Sequence, residues 1–154
     1  VSGLEGLYQQ IILDQSKRRN GDGPLEGADA EHHEYYPTCG DEITVRVKLA
    51  PGAGGGAERI DTLAWQGDGC SISMASASTL TELVSGRTVD EARELIEAFR
   101  AMLRSQGAGE PDEDVLGDAI AFHGVSKYVM RVKCAMLAWV ALEACLAQAA
   151  RPAG

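Results

Sequence analysis

Apolar and polar residues alternate strictly over residues 43–49, with Ile, Val and Leu at the odd positions and Thr, Arg and Lys at the even ones. A period of two predicts a strand that buries one face and exposes the other. Residues 60–65 supply a second, returning strand whose alternation is imperfect, which indicates a β-bulge. The two strands together predict a small antiparallel sheet.

Apolar residues spaced three and four apart predict helices in most of the remaining chain. The first helix has an apolar stripe that we expect to be buried, formed by Leu4, Leu7, Tyr8, Ile11 and Ile12. A second helix begins near Ser71 or Ser73 and ends before Gly86. Thr88 and Glu91 have the spacing of a capping box, which opens a third helix.

The apolar face of that third helix consists of Ala92, Leu95, Ile96, Phe99, Met102 and Leu103. A short acidic helix is predicted over about residues 112–121 and a long last helix over about residues 126–149. From about Asn20 to Pro37 the sequence has no periodicity and predicts a long surface loop.

The predicted order is one helix, two or three strands, and then only helices. This order is typical of an α+β fold in which a small antiparallel sheet of about three strands carries its helices on one side. A length of 154 residues suffices for one hydrophobic core, so we expect a single domain over residues 1–154.

The net charge of −9 argues against a nucleic-acid partner, because nucleic-acid affinity depends on a basic surface. The longest apolar runs, such as residues 135–142, are far shorter than the roughly 20 residues that a membrane helix needs. The amino terminus has no positively charged region ahead of an apolar segment, so no secretory signal is visible. We therefore expect a cytoplasmic protein with no membrane partner.

Four cysteines are widely spaced along the chain, at positions 39, 70, 134 and 145. Without an export signal, this arrangement favours metal binding or thiol chemistry over structural disulfides. Cys145 lies about three helical turns after Cys134, and a cysteine at such a position is expected to be plain core.

The segment Cys39-Gly40-Asp41 separates a thiol and a carboxylate by one glycine, which permits a turn that aims both side chains at one point. Zinc accepts both ligand types, so this loop could supply two corners of a tetrahedral site. Two more ligands are needed, and Cys70 and Cys134 are the candidates. The spacing of the three cysteines matches no compact zinc-finger pattern, so the residues alone leave the presence of a metal open.

At these residues the sequence resembles the IscU/NifU-like family of iron-sulfur cluster assembly proteins, and within it the SufU branch. Three ordered motifs carry the resemblance: Tyr36-Pro37-Thr38-Cys39-Gly40-Asp41, then Gly67-Asp68-Gly69-Cys70-Ser71-Ile72-Ser73 running into Ala75-Ser76-Ala77-Ser78, and Arg131-Val132-Lys133-Cys134-Ala135 with Leu137-Ala138-Trp139. IscU proteins commonly have histidine immediately before the third cysteine, whereas this chain has Lys133. This difference, and a longer segment between Cys70 and Cys134, favour the SufU branch.

The resemblance implies that Cys39, Asp41, Cys70 and Cys134 meet at one end of an α+β fold and hold one zinc ion or an iron-sulfur cluster. It implies a zinc-dependent sulfurtransferase whose Cys39 accepts persulfide sulfur and leaves zinc when a histidine of the desulfurase takes its place. Asp41 would shape the site, Cys70 and Cys134 would anchor the metal, and Arg131 would assist docking or balance charge.

The implied partners are a SufS-type cysteine desulfurase and a downstream Suf scaffold complex. The alternative function is that of a non-enzymatic scaffold, which binds a transient [2Fe-2S] cluster on the same ligands.

Overall fold

A computed structural model of the chain describes residues 3–52 and 58–149. Within these residues, the elements follow the order α1 (Gly3–Arg18), β1 (Ala30–Tyr36), β2 (Asp41–Ala50), β3 (Arg59–Asp68), α2 (Ser71–Val84), α3 (Val89–Arg104), α4 (Glu113–Leu116) and α5 (Val129–Ala149). A 3₁₀ segment, Gly117–Lys127, connects α4 to α5. No helix in the described part of the chain is long and apolar enough to cross a membrane.

The three strands form one antiparallel sheet in the order β1-β2-β3. The predicted bulge is confirmed. Lys48 pairs with Thr62 and Leu49 pairs with Ile60, so Asp61 of β3 has no counterpart in β2. The bulge adds local twist at the end of the sheet that lies away from the cysteines.

The first strand, β1, lies inside the segment that was predicted to be a loop, so that prediction is wrong for residues 30–36. Its side chains are mostly charged or aromatic, and Ala30 is its one buried residue. The strand forms because β2 pairs with it along its whole length, from Ala30 opposite Val47 to Tyr36 opposite Asp41. Tertiary pairing thus determines the structure of a segment that has no strand pattern of its own.

The helices cover one face of the sheet, as the α+β prediction required. Ile43, Val45 and Val47 of β2 are at most 1% exposed, whereas the residues between them remain at least partly accessible. Helix α5 packs across β1 and β2, and the thiol of Cys145 donates a hydrogen bond to the carbonyl oxygen of Val45 at 3.3 Å. Cys145 is fully buried, which confirms its assignment to the core.

The predicted capping box of α3 is confirmed, and every residue of its predicted apolar face is buried. The Thr88 hydroxyl accepts a hydrogen bond from the Glu91 amide at 3.1 Å, and the Glu91 carboxylate accepts one from the Thr88 amide at 3.0 Å. The predicted acidic helix is shorter than expected, because only Glu113–Leu116 is α-helical before the 3₁₀ segment begins.

The apolar stripe of α1 was predicted to be buried, but the structure buries it only in part. Leu7 is 55% exposed, and Tyr8, Ile11 and Ile12 are half-buried, while the side chain of Leu4 lies outside the described residues. Among the side chains of this helix that the structure describes, residues 6–18, the buried one is Gln15, which hydrogen-bonds Glu82 at 2.5 Å and Ser78 at 2.7 Å. Polar contacts to α2 thus add to the apolar packing of α1, in which Ile12 lies against the core.

The close approach of α2 to α5 determines where the cysteines at their amino-terminal ends lie. Ser76 of α2 is fully buried and donates a hydrogen bond to the carbonyl oxygen of Ala135 at 2.6 Å. The same hydroxyl accepts a hydrogen bond from the indole N–H of Trp139 at 2.9 Å. A small side chain with two partners in α5 thus fixes the contact between the helices.

We expect Ser76→Ala to lower the free energy of unfolding by about 1–3 kcal/mol, because it leaves the buried indole N–H of Trp139 without its acceptor and removes the hydrogen bond from α2 to the Ala135 carbonyl. Ser71→Ala, at the exposed start of the same helix, is the control and should change this free energy by less than about 0.5 kcal/mol. Urea denaturation monitored by circular dichroism measures both. Equal midpoints for the two variants would contradict the role of Ser76.

Candidate metal centre

Cys39 lies at the tip of the hairpin that connects β1 to β2. The strands end and begin at Tyr36 and Asp41, which leaves a four-residue connection. Its last residue, Gly40, has φ +75°, a left-handed conformation that glycine adopts without strain, and its amide donates a hydrogen bond to the Tyr36 carbonyl at 2.8 Å. The turn leaves the Cys39 side chain exposed, whereas Asp41 is 4% exposed.

Cys70 occupies the junction between β3 and α2, where it is the residue that precedes the first helical turn. Its amide donates a hydrogen bond to Asp41 Oδ1 at 3.2 Å. Ser73, in the same turn, donates from its hydroxyl to Asp41 Oδ2 at 2.5 Å. The start of α2 therefore binds the first residue of β2.

Cys134 lies in the second turn of α5 and is 6% exposed. Its sulfur is 3.9 Å from the sulfur of Cys39. The ligand atoms of Cys39, Asp41 and Cys134 all lie within 4.8 Å of one another. Residues that are 95 positions apart in sequence thus lie close together, and three of the four predicted ligands converge.

The sulfur of Cys70 is not one of the three ligand atoms that converge. It is exposed and lies 3.6 Å from the Ser73 hydroxyl. It is nevertheless close enough to Cys134 to influence the protonation of that thiol. The structure therefore places Cys70 at the edge of the site.

The protonation of the site follows from its burial and its crowded acidic groups. Burial, the neighbouring Cys70 and a hydrogen bond to Asp41 raise the pKa of the Cys134 thiol. Burial acts to raise the pKa of Asp41 as well, but hydrogen bonds from Ser73, Cys134 and Cys70 outweigh it and hold that pKa below its usual value. Without a cation, the site thus pairs an ionised carboxylate with a protonated thiol.

These donors fit a thiophilic divalent ion. Two thiols and a carboxylate converge, and a third thiol lies beside them, which is a ligand set that zinc accepts in tetrahedral geometry. An ion binds such thiols in their deprotonated form, so its binding releases the proton of Cys134. The positive charge would also offset the negative charges that the ligands bring together.

Arg131 lies one turn before Cys134 on α5 and is exposed. Its guanidinium group lies 5.6 Å from the ring centroid of Tyr128. Among the described residues, no ion pair or hydrogen bond joins Arg131 to the three converging ligands. Arg131 is therefore a surface cation near the site.

Ser73 was not predicted to be a functional residue, and Gly69 was noted only as part of the motif around Cys70, without its contact to Asp41. The Ser73 hydroxyl binds the carboxylate of Asp41, as described above. A Cβ atom at Gly69 would lie 2.8 Å from Asp41 Cγ, so glycine is needed there for the carboxylate to fit. The available signal was their position on either side of Cys70, but only the register of the strands reveals that Asp41 lies between them.

The model of the family described as NifU-like N terminal domain matches residues 7–147. The chain belongs to this family. The resemblance that the three motifs indicated is thereby confirmed.

Among the relatives of this NifU-like domain is the "Iron-sulfur cluster assembly scaffold protein IscU" of Streptococcus pyogenes serotype M1, 37% identical over 97% of this chain and 89% of the relative. Another is the "Zinc-dependent sulfurtransferase SufU" of Bacillus subtilis, 37% identical over 92% of this chain and 90% of the relative. The crystal structure of a nitrogen-fixing NifU-like protein (N-terminal) from Brucella abortus superposes with a TM-score of 0.84, at 26% identity, over 99% of this chain and 100% of that one.

We expect Gly69→Ala to weaken zinc binding, because the added methyl group displaces the Asp41 carboxylate. Gly124→Ala is the matched control, since a Cβ atom there meets no atom within 4 Å. Zinc dissociation constants from chelator competition measure the effect. Equal affinity of Gly69→Ala and the unmodified protein would contradict the placement of Asp41.

The four thiols should also differ in their reactivity in the metal-free, folded protein. Iodoacetamide should label Cys39 and Cys70, which are exposed, and spare Cys145, because burial raises the pKa of that thiol to about 12. Peptide mass spectrometry after labelling at pH 8 measures this, and the urea-unfolded protein, in which all thiols react, is the control. Labelling of Cys145 as fast as Cys39 in the folded protein would refute the assignment.

Proposed function

We propose that this chain works in iron-sulfur cluster assembly as a zinc-dependent sulfurtransferase, which accepts persulfide sulfur from a cysteine desulfurase on Cys39. The observation that carries the proposal is the exposed thiol of Cys39, which lies 3.9 Å from the buried Cys134 sulfur in a cluster suited to zinc. The similarity to a protein named zinc-dependent sulfurtransferase over 92% of this chain supports it.

The proposed zinc ligands are Cys39, Asp41, Cys70 and Cys134. Three of them supply the ligand atoms that converge, and Cys70 is the fourth, because its thiol lies at the edge of the same site. A bound zinc ion would keep the ligating sulfur atoms in the thiolate form at neutral pH. Cys134 and Cys70 belong to the ends of two packed helices, which suits them to anchor the ion.

Exposure distinguishes the roles of the cysteines. A persulfide on a partner protein must reach the accepting sulfur directly, and the buried Cys134 and Cys145 offer no such access. Cys39 and Cys70 are exposed, but the Cys70 backbone is bound to Asp41. Cys39 has weaker contacts, a sulfur to carbonyl distance of 3.9 Å to Tyr36 and the 3.9 Å approach to Cys134. Cys39 is therefore the accepting residue.

The transfer is a thiol–persulfide exchange with no net oxidation. The Cys39 thiolate attacks the outer sulfur of the partner's cysteine persulfide, and a new S–S bond forms on Cys39. The S–S bond of the donor breaks, and its electron pair leaves with the donor cysteine as a thiolate. In a second exchange of the same kind, a thiolate of the downstream acceptor attacks the outer sulfur on Cys39 and takes it over, and Cys39 leaves as a thiolate. The protein is therefore a sulfur carrier.

The proposed partners are a SufS-type cysteine desulfurase and, downstream, a Suf scaffold complex, and the proposed location is the cytoplasm. Arg131 supports docking of the partner or balances the charge of the metal centre, because it is exposed and one helical turn from Cys134. Its contact with Tyr128 orients the guanidinium group at the surface.

A second candidate function is that of a scaffold for a transient [2Fe-2S] cluster on the same ligands. It is favoured by a relative of the same 37% identity that is named an iron-sulfur cluster assembly scaffold. Anaerobic incubation with iron and sulfide, followed by transfer to an apo-ferredoxin, would support the scaffold. Zinc that iron and sulfide cannot displace would support the carrier.

Cys39→Ala should abolish both persulfide formation on this protein and its acceleration of desulfurase turnover. The desulfurase and cysteine are incubated with each variant, and alanine released per unit time measures turnover. Cys145→Ala is the control, because Cys145 is buried in the core beside Val45 and should leave the acceleration intact. Equal acceleration by Cys39→Ala and the unmodified protein would refute the proposed function.

A further inference from the structure

Both oxygens of the Asp41 carboxylate accept hydrogen bonds from the first turn of α2. The Cys70 amide donates to Oδ1 at 3.2 Å, and the Ser73 hydroxyl donates to Oδ2 at 2.5 Å. Ser73 is 2% exposed and Asp41 is 4% exposed, so solvent has little access to this contact. A buried carboxylate that loses such a donor loses stabilisation that water does not readily replace.

Gly69 limits the carboxylate on another side. An added Cβ atom there would approach Asp41 Cγ to 2.8 Å and Oδ1 to 3.0 Å. The carboxylate thus lies in a fitted space formed by a backbone amide, a hydroxyl and a glycine. This arrangement fixes its rotation as well as its position.

The other two converging residues are held differently. The Cys134 sulfur lies 3.6 Å from the Met130 carbonyl one turn earlier in its own helix, and its single proton also faces Asp41. The thiol of Cys39 approaches the Tyr36 carbonyl to 3.9 Å within its own hairpin. Among the three converging residues, Asp41 therefore differs from the two cysteines, because the start of α2 holds its side chain through two hydrogen bonds.

We infer that Ser73 is a positioning residue of the metal centre, whose hydroxyl locks the Asp41 carboxylate onto α2. Asp41 and Cys70 thereby form one fixed unit of the site. The inference rests on the proposed function, since it takes Asp41 to be a zinc ligand.

Hydrogen bonding to Ser73 is compatible with metal binding by the same carboxylate. Each carboxylate oxygen can accept more than one bond, so lone pairs remain for an ion after Ser73 and Cys70 have donated. Residues that hydrogen-bond to metal ligands fix the orientation of those ligands, and their removal typically weakens metal affinity. When Cys39 carries sulfur, the Ser73 contact would keep Asp41 in its position for the ion.

The test begins with zinc dissociation constants from chelator competition. Ser73→Ala should weaken zinc binding by about 10- to 100-fold, because the carboxylate loses its orienting donor. Ser78→Ala is the matched control, since Ser78 is equally buried in the same helix but bonds Gln15 and Asn20 instead. Ser78→Ala should destabilise the fold and leave the zinc dissociation constant unchanged.

The Co²⁺-substituted protein adds a spectroscopic measurement that a change in global stability would not move. The ligand-field and thiolate-to-cobalt bands should shift in Ser73→Ala and stay constant in Ser78→Ala. Ser73→Thr keeps the hydroxyl and should bind zinc more tightly than Ser73→Ala. If Ser73→Thr binds no more tightly than the alanine variant, the hydroxyl is not responsible and the inference fails.

A double-mutant cycle tests whether Ser73 acts through Asp41. In the Asp41→Ala background, Ser73→Ala should have no further effect on zinc affinity. Additive effects would overturn the inference, as would normal zinc binding by Ser73→Ala when Asp41→Ala binds weakly. Normal zinc binding by Asp41→Ala would instead refute the ligand set of the proposed function, and the inference with it.

Discussion

The hydrogen bonds that Asp41 accepts from Cys70 and Ser73 join the hairpin to the start of α2. Asp41 is the first residue of β2, so this contact fixes the end of the sheet relative to the helix that follows β3. Cys39 lies two residues before Asp41 on the hairpin, and Cys70 is the residue immediately before α2. One carboxylate therefore determines how close these two thiols can be.

The last cysteine reaches the same point through the packing of α5. Ser76 links α2 to α5 by accepting the indole N–H of Trp139 and donating to the Ala135 carbonyl, immediately after Cys134. The site thus consists of a part held by two packed helices and a part carried on a hairpin tip. That division suits a sulfur carrier, because an ion needs fixed ligands while the accepting thiol needs access to a partner.

Elements with a strong local pattern were predictable from the sequence. The alternation of β2 and the capping box at Thr88 specify their elements through neighbouring residues, and both are confirmed. β1 was not predictable, because its polar side chains carry no signal and only pairing with β2 makes it a strand. The roles of Ser73 and Gly69 likewise depend on the register that brings Asp41 beside α2, which no local pattern encodes.

The identity of the four ligands is the central claim, and Cys70 is its most demanding part, because its sulfur lies at the edge of the converging set. Zinc K-edge X-ray absorption of the zinc-loaded protein tests it most directly. We predict three sulfur ligands at about 2.3 Å and one oxygen ligand at about 2.0–2.2 Å, with one sulfur lost in Cys70→Ala. Two sulfur ligands in the unmodified protein, or a spectrum that Cys70→Ala leaves unchanged, would contradict the account.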